Sequence, residues 1–190
     1  MIEINSRDLD RAAQLLSHIP GAAQKATKTA MRRSIKGAKR DAAQKATENY
    51  TIKQKYITRT MKFSYTADSA TMTSKGRVND LAYFKHKPQG VPKKRPATGN
   101  YLYSQVVKGQ GGTIAHAFLA RMKSGHIGVF QRGGHGIASA SLPIEKLSGP
   151  STPQMLERPT VRAFIEERIQ ARLSREIDHE INAFLGGFRR

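Results

Sequence analysis

Alanine recurs along residues 22–49 in a pattern that leaves little choice of secondary structure. Ala22, Ala26, Ala30, Ile35, Ala38, Ala42 and Ala46 fall three to five positions apart, and Met31 widens the stripe. That spacing lines one side of an α-helix, and side chains this small let another backbone approach closely. A straight helix from Ala22 to Asn49 is roughly 40 Å long at about 1.5 Å per residue. Its opposite side is cationic: Lys25, Lys28, Arg32, Arg33, Lys36, Lys39, Arg40 and Lys45, countered only by Asp41 and Glu48. A helix face that merely meets water mixes Glu with Lys at i,i+4. The near absence of acids points instead to a polyanionic partner.

The whole chain shares this bias. Over 190 residues, 33 Lys and Arg stand against 14 Asp and Glu, a net charge of +19. A compact monomer with this excess repels itself, and nucleic acid, a membrane surface or an acidic protein relieves it. Hydrophobic residues make up 38% and aromatics 7%, so the core must rely on Ala, Ile, Leu and Val. There is no cysteine, which excludes disulfides, thiolate nucleophiles and Cys-based zinc sites. No apolar run approaches the roughly 20 residues of a membrane span, and Met1–Asn5 lacks the features of a secretory signal. A cytoplasm-like setting is expected.

The remaining elements follow from periodicity. Ile2–Ile4 reads as a short extended piece. Ser6 is the expected N-cap of a first helix, with Asp8 in its first turn and a stripe of Leu9, Ala12, Ala13, Leu16 and Ile19. Pro20-Gly21 interrupts that stripe. A short helix is expected within Thr51–Thr60. Met61, Phe63 and Tyr65 alternate as a strand, Ala67-Asp68-Ser69 turns the chain, and Ala70, Met72 and Ser74 return it. Leu81–Lys87 is a further strand, and the spacing of strands at Tyr101–Lys108, Thr113–Arg121 and His126–Gln131 predicts an antiparallel meander, with helix an open alternative for Thr113–Met122. Pro88–Asn100 is a mobile loop carrying Lys93-Lys94-Arg95. Leu142-Pro143-Ile144 is extended, and Leu147–Pro153 is excluded from regular helix. From Pro159, the stripe Val161, Phe164, Ile165, Ile169, Leu173, Ile177, Ile181 and Phe184 marks a long helix ended by Gly186-Gly187.

The expected fold is therefore α+β: an N-terminal helix pair and a long C-terminal helix packed on a small antiparallel β-sheet. One domain spans 1–190, with a basic helical region (1–60), a β-rich core (61–147) and the C-terminal helix (159–185).

No catalytic constellation emerges, and neither a cofactor nor a metal is expected. His18, His86, His116, His126, His135 and His179 form no close pair at metal spacing, although His116 and His126 could face each other across a hairpin. Lys108-Gly-Gln-Gly-Gly-Thr113 lacks the ending of a phosphate loop and reads as a turn, and Gly133-Gly-His-Gly136 reads as a hairpin tip. Asp80 and Glu145 look isolated, and Glu166 and Glu167 form a surface pair set with Arg168 and Arg172. No helix-turn-helix or aromatic-rich RNA-binding strand is legible. What remains is sequence-independent contact with phosphates.

Leu142-Pro-Ile-Glu-Lys-Leu-Ser-Gly-Pro-Ser-Thr-Pro-Gln-Met-Leu156, followed by a long amphipathic helix, resembles the closing segment of the lambda-type minor tail protein Z family. The Ala-rich basic N-terminal helix pair, Arg77-Val-Asn-Asp-Leu-Ala-Tyr-Phe-Lys85 and the Gly-rich Phe130-Gln-Arg-Gly-Gly134 resemble that family in the same order. The resemblance implies a non-enzymatic virion protein of the tail and head–tail junction, formed in the host cytoplasm. It implies tail completion or head–tail joining by a homo-oligomeric ring, a hexamer by analogy with tail rings, around packaged double-stranded DNA. Other tail and neck proteins would be its partners, with no membrane involved. The family can carry a dense central Arg/Lys block, where this chain has only Lys93-Lys94-Arg95. Candidate DNA contacts are thus Lys25, Lys28, Arg32, Arg33, Lys36, Lys39 and Arg40, with Lys93, Lys94 and Arg95 secondary. The competing readings are a standalone sequence-independent nucleic-acid-binding protein, and a tail accessory whose cations meet only acidic proteins.

Overall fold

The computed structural model describes residues 7–66, 69–94, 102–132 and 144–187. The expected extended piece at Ile2–Ile4, the Ser6 cap, the Ala67-Asp68 turn, Arg95 and the rest of its loop to Asn100, the Gly133–Gly136 tip with His135, and Leu142-Pro143 lie outside those residues. The chain forms two compact units: residues 1–45, 58–75 and 156–190 make the first, and residues 46–57 and 76–155 the second. The class is α+β, with the helices at both chain ends that periodicity predicts.

The first unit is built on three helices, α1 (Arg7–Leu15), α2 (Ala22–Asn49, leaving the unit after Lys45) and α5 (Pro159–Leu185). The small residues of α2 prove more regular than the stripe read from sequence. Ala22, Ala26, Ala30, Ser34, Ala38, Ala42 and Ala46 follow at four-residue intervals, and none is more than 1% exposed. This is an i±4 ridge, the row that packs in the commonest class of helix crossing. Ser34 fits it because its hydroxyl donates to the Ala30 carbonyl at 2.8 Å, so burial strands no polar group. The bulk comes from α5, whose Leu173, Ile177, Ile181 and Phe184 pack with Ala22, Ala26, Ala30, Met31 and Ile35 and with Ala12 and Leu16 from α1 and its C-terminal turn. Ala13, placed in the α1 stripe by spacing, is exposed. The short helix turns Asp8 and Arg11 toward α5 instead. Asp8 Oδ2 accepts from Ser174 Oγ (2.6 Å) and Gln170 Nε2 (3.1 Å), and Arg11 pairs with Asp178 at 2.9 Å. Gly186 N–H and Gly187 N–H close α5 on the Asn182 and Phe184 carbonyls, with Gly187 at φ +71. A hairpin of β1 (Met61–Tyr65) and β2 (Ala70–Ser74), registered Phe63 opposite Met72, lays Ala70, Phe63 and Met72 on this core.

The second unit holds the other antiparallel pieces. They are β3 (Val78–Asp80) with β10 (Ser148–Ser151), β4 (Lys85–Lys87) with β5 (Leu102–Val107) and β6 (Gln110–Ile114), and β7 (Ala117–Arg121) with β8 (Ile127–Arg132) and β9 (Ile144–Lys146). Short α3 (Gln54–Thr58) starts it and α4 (Thr152–Leu156) ends it. Four expectations need correction. Lys108–Thr113 is not a turn throughout: from Gln110 it pairs as β6 with β5. Leu81–Lys87 is not one strand: Asp80 Oδ1 accepts the Ala82 N–H at 3.0 Å and caps a 3-10 turn at Leu81–Tyr83 before β4 begins. Thr113–Arg121 is two strands, broken at His116, whose φ of 58 is left-handed. Thr152-Pro153 enters a helix, because Pro is tolerated in a first turn; only Ser148–Ser151 of that segment is extended.

Candidate nucleic-acid interface

Lys25, Lys28, Arg32, Lys36 and Arg40 succeed one another by three or four residues on α2 and share one face. All five are exposed. Arg33 breaks the series and points elsewhere. It pairs with Glu180 at 2.9 Å and with Glu176 at 3.4 Å, both on α5, and the Glu180 side chain is wholly buried. A carboxylate with no access to water needs a charge partner. Arg33 therefore serves as a clamp of the fold, and it leaves the set of free cations.

The only acid in the middle of α2 is also taken. Asp41 Oδ2 meets Arg172 Nη2 at 2.7 Å, and the same guanidinium donates to the Ser34 carbonyl at 3.3 Å. Arg172 reaches both by crossing α2 at Gly37, where any β-carbon would collide with its guanidinium. Glycine inside a helix costs about 0.5–1 kcal/mol relative to alanine, and the close approach is its reason here. Arg172 is thus not part of a surface set with Glu166 and Glu167. Glu166 instead pairs with Arg162 at 2.8 Å, a hydrogen bond and charge that raise the Arg162 pKa further above its ordinary value.

Lys28, Lys36 and Arg40 have no ion-pair or hydrogen-bond partner for their charges among the described residues. Arg32 and Lys39 are held differently. The Arg32 guanidinium lies 5.4 Å from the Tyr65 ring centre, and Lys39 Nζ lies 5.9 Å from that of Phe63 and donates to the Met61 carbonyl at 3.4 Å. The β1–β2 hairpin therefore lines one border of the basic face with rings that steady cations without cancelling their charge. Lys93 and Lys94 are exposed in the second unit, after Pro92.

The histidine and carboxylate expectations change as well. His116 sits in the turn before β7, while Arg121 pairs with Ile127 beside His126, so the two rings do not face each other. His126 Nε2 approaches Asp80 Oδ2 at 2.8 Å, and Lys146 Nζ comes to 3.1 Å of the same oxygen. The approach of His126 is not an aligned hydrogen bond, and Lys146 supplies the cation beside Asp80. Asp80 is 1% exposed, so it is a buried acid holding β3, β8 and β9 rather than an isolated one. Sequence could not reveal the cluster, because its members lie 46 and 20 residues apart. Gly37, an interior helix glycine, was the one local signal of Arg172's path. No group of three or more His, Asp or Glu able to hold a metal occurs among the described residues.

A protein-family model described as prophage minor tail protein Z (GPZ) matches residues 7–188. The chain belongs to the minor tail protein Z family. No curated protein and no solved structure gives a match. As a phage minor tail protein, it is a structural component of the virion that contacts other tail or virion proteins. No helix among the described residues is long and apolar enough to cross a membrane.

Proposed function

We propose that this minor tail protein is a non-enzymatic tail-completion or head–tail joining subunit, acting in a ring of six around the DNA channel. The outward stripe of α2 meets the phosphates of packaged double-stranded DNA without reading sequence. The observation that carries the reading is that Lys28, Lys36 and Arg40 lie exposed on one face of α2 with no ion-pair or hydrogen-bond partner among the described residues. A ring of identical subunits repeats one heterologous interface, so every copy would present the same stripe. Phosphate contact supplies affinity and position, while base contact, for which no reading element is legible, would supply specificity.

Native mass spectrometry of the purified protein, alone and with short duplex DNA, tests this. A ring-sized oligomer, or a monomer that forms one only with tail components, is the expected result. A stable monomer that binds DNA stoichiometrically, with affinity falling steeply as salt rises, would favour a standalone nucleic-acid-binding protein.

A further inference from the structure

The second unit contains a basic surface that owes nothing to α2. In the β4–β5–β6 sheet, Lys85 lies opposite Gln105 and Lys87 opposite Tyr103. Gln105 in turn lies opposite Gly111, and Tyr103 opposite Thr113. Residues directly opposite in an antiparallel pair share a side of the sheet, and neighbours along a strand alternate. Two rows therefore cross one face: Lys87, Tyr103, Thr113, and Lys85, Gln105, Gly111. His86, Leu102 and Ser104 take the other, buried face.

The exposed face is firmly built. Thr51 Oγ1 accepts the Lys85 N–H at 3.0 Å and donates to the Gln105 carbonyl, fixing the start of β4 against β5. Tyr103 lies over Gly111, where any β-carbon would collide with its hydroxyl, so the face stays flat. No acid lies on these strands. The acids of the unit are Glu48, Asp80 and Glu145. Asp80 is buried with His126 and Lys146, and Glu145 lies on β9 of another sheet. The Lys85 and Lys87 ammonium groups have no ion-pair partner among the described residues.

We infer that this face is a second contact surface for the phosphate backbone of duplex DNA, centred on Lys85 and Lys87 with Tyr103, Gln105 and Thr113 as neutral donors. The inference rests on the phosphate-contact reading of α2 and extends it to the other unit. Lys, Tyr, Gln and Thr are the side-chain types that position proteins on phosphates. With only one ring on the face, it is no platform for stacking successive bases. The uncancelled positive charge selects a polyanion over a neutral protein strand.

The test is a salt titration of full-length protein on two duplexes of unrelated sequence. Lys85→Gln with Lys87→Gln is expected to lower the slope of log affinity against log salt by about two, since each phosphate contact contributes about 0.9, and to do so alike on both duplexes. Arg121→Gln with Lys123→Gln, exposed on the β7–β8 hairpin, removes the same charge and is expected to leave the slope unchanged. Parent-like behaviour of the Lys85/Lys87 variant, or equal losses in both variants, would overturn the inference while the α2 reading stands. A parent protein that binds neither duplex would overturn the α2 reading, and this inference with it.

Discussion

The two units carry the same sign of charge and handle it in opposite ways. The first has 20 Lys and Arg against 11 acids, and the second has 13 against Glu48, Asp80 and Glu145 alone. In the helical unit the acids are distributed with effect. Glu176 and Glu180 hold Arg33, Asp178 holds Arg11, and Asp41 is drawn off by Arg172. On α2, Lys28, Lys36 and Arg40 stay without an ion-pair or hydrogen-bond partner among the described residues. The β-rich unit has too few acids for such pairing: among the described residues Lys146 meets the buried Asp80, while Lys85 and Lys87 have no ion-pair partner. Net charge therefore does not tell where a chain can meet a polyanion. The positions of the few acids decide it.

The comparison can be broken first at the buried acids. Arg33→Ala takes a guanidinium away from the buried Glu180 carboxylate, and is expected to lower stability by about 2–3 kcal/mol in denaturant unfolding. A loss below about 0.5 kcal/mol would return Arg33 to the free cations. Asp80→Asn can keep the Ala82 cap while losing the attraction of His126 and Lys146. Those partners are 39% and 45% exposed, so the expected loss is smaller, about 1–2 kcal/mol.

Gly37→Ala sharpens the account of how α2 loses its acid. Elsewhere in a helix interior this change stabilises by roughly 1 kcal/mol, but here it must displace Arg172. Stability near that of the parent is expected, with the gain reappearing in an Arg172→Ala background; equal gains in both backgrounds would remove the crossing from the explanation. The smallest stability effect is expected from Lys28→Gln, Lys36→Gln and Arg40→Gln together, within about 0.5 kcal/mol. The same variant should lower the DNA salt slope by nearly three, and an unchanged slope would take the unpaired stripe out of the interface.

Much of this architecture was legible in local pattern. The bounds of α2, the stripe and glycine stop of α5, and the alternation of β1 and β2 follow from periods of 3.6 and 2, which need only neighbours in sequence. The strand drawn through Thr113–Arg121 failed because nothing in the apolar residues on either side of His116 marks the left-handed backbone there. The basic face was legible as a set of residues, but its membership was not. Arg33, Lys39 and Arg40 look alike in sequence; Arg33 meets an acid 147 residues away, Lys39 meets a ring across a hairpin, and Arg40 meets neither.

The sequence by itself determined the class of fold, the family and the excess of positive charge, because periodicity, ordered motifs and composition are properties of the chain. Only the tertiary structure decided which charges remain available. Ion pairing needs close approach, and the acids that hold Arg33 and the arginine that takes Asp41 all arrive on α5, more than a hundred residues later, on a helix brought there by apolar burial rather than by charge.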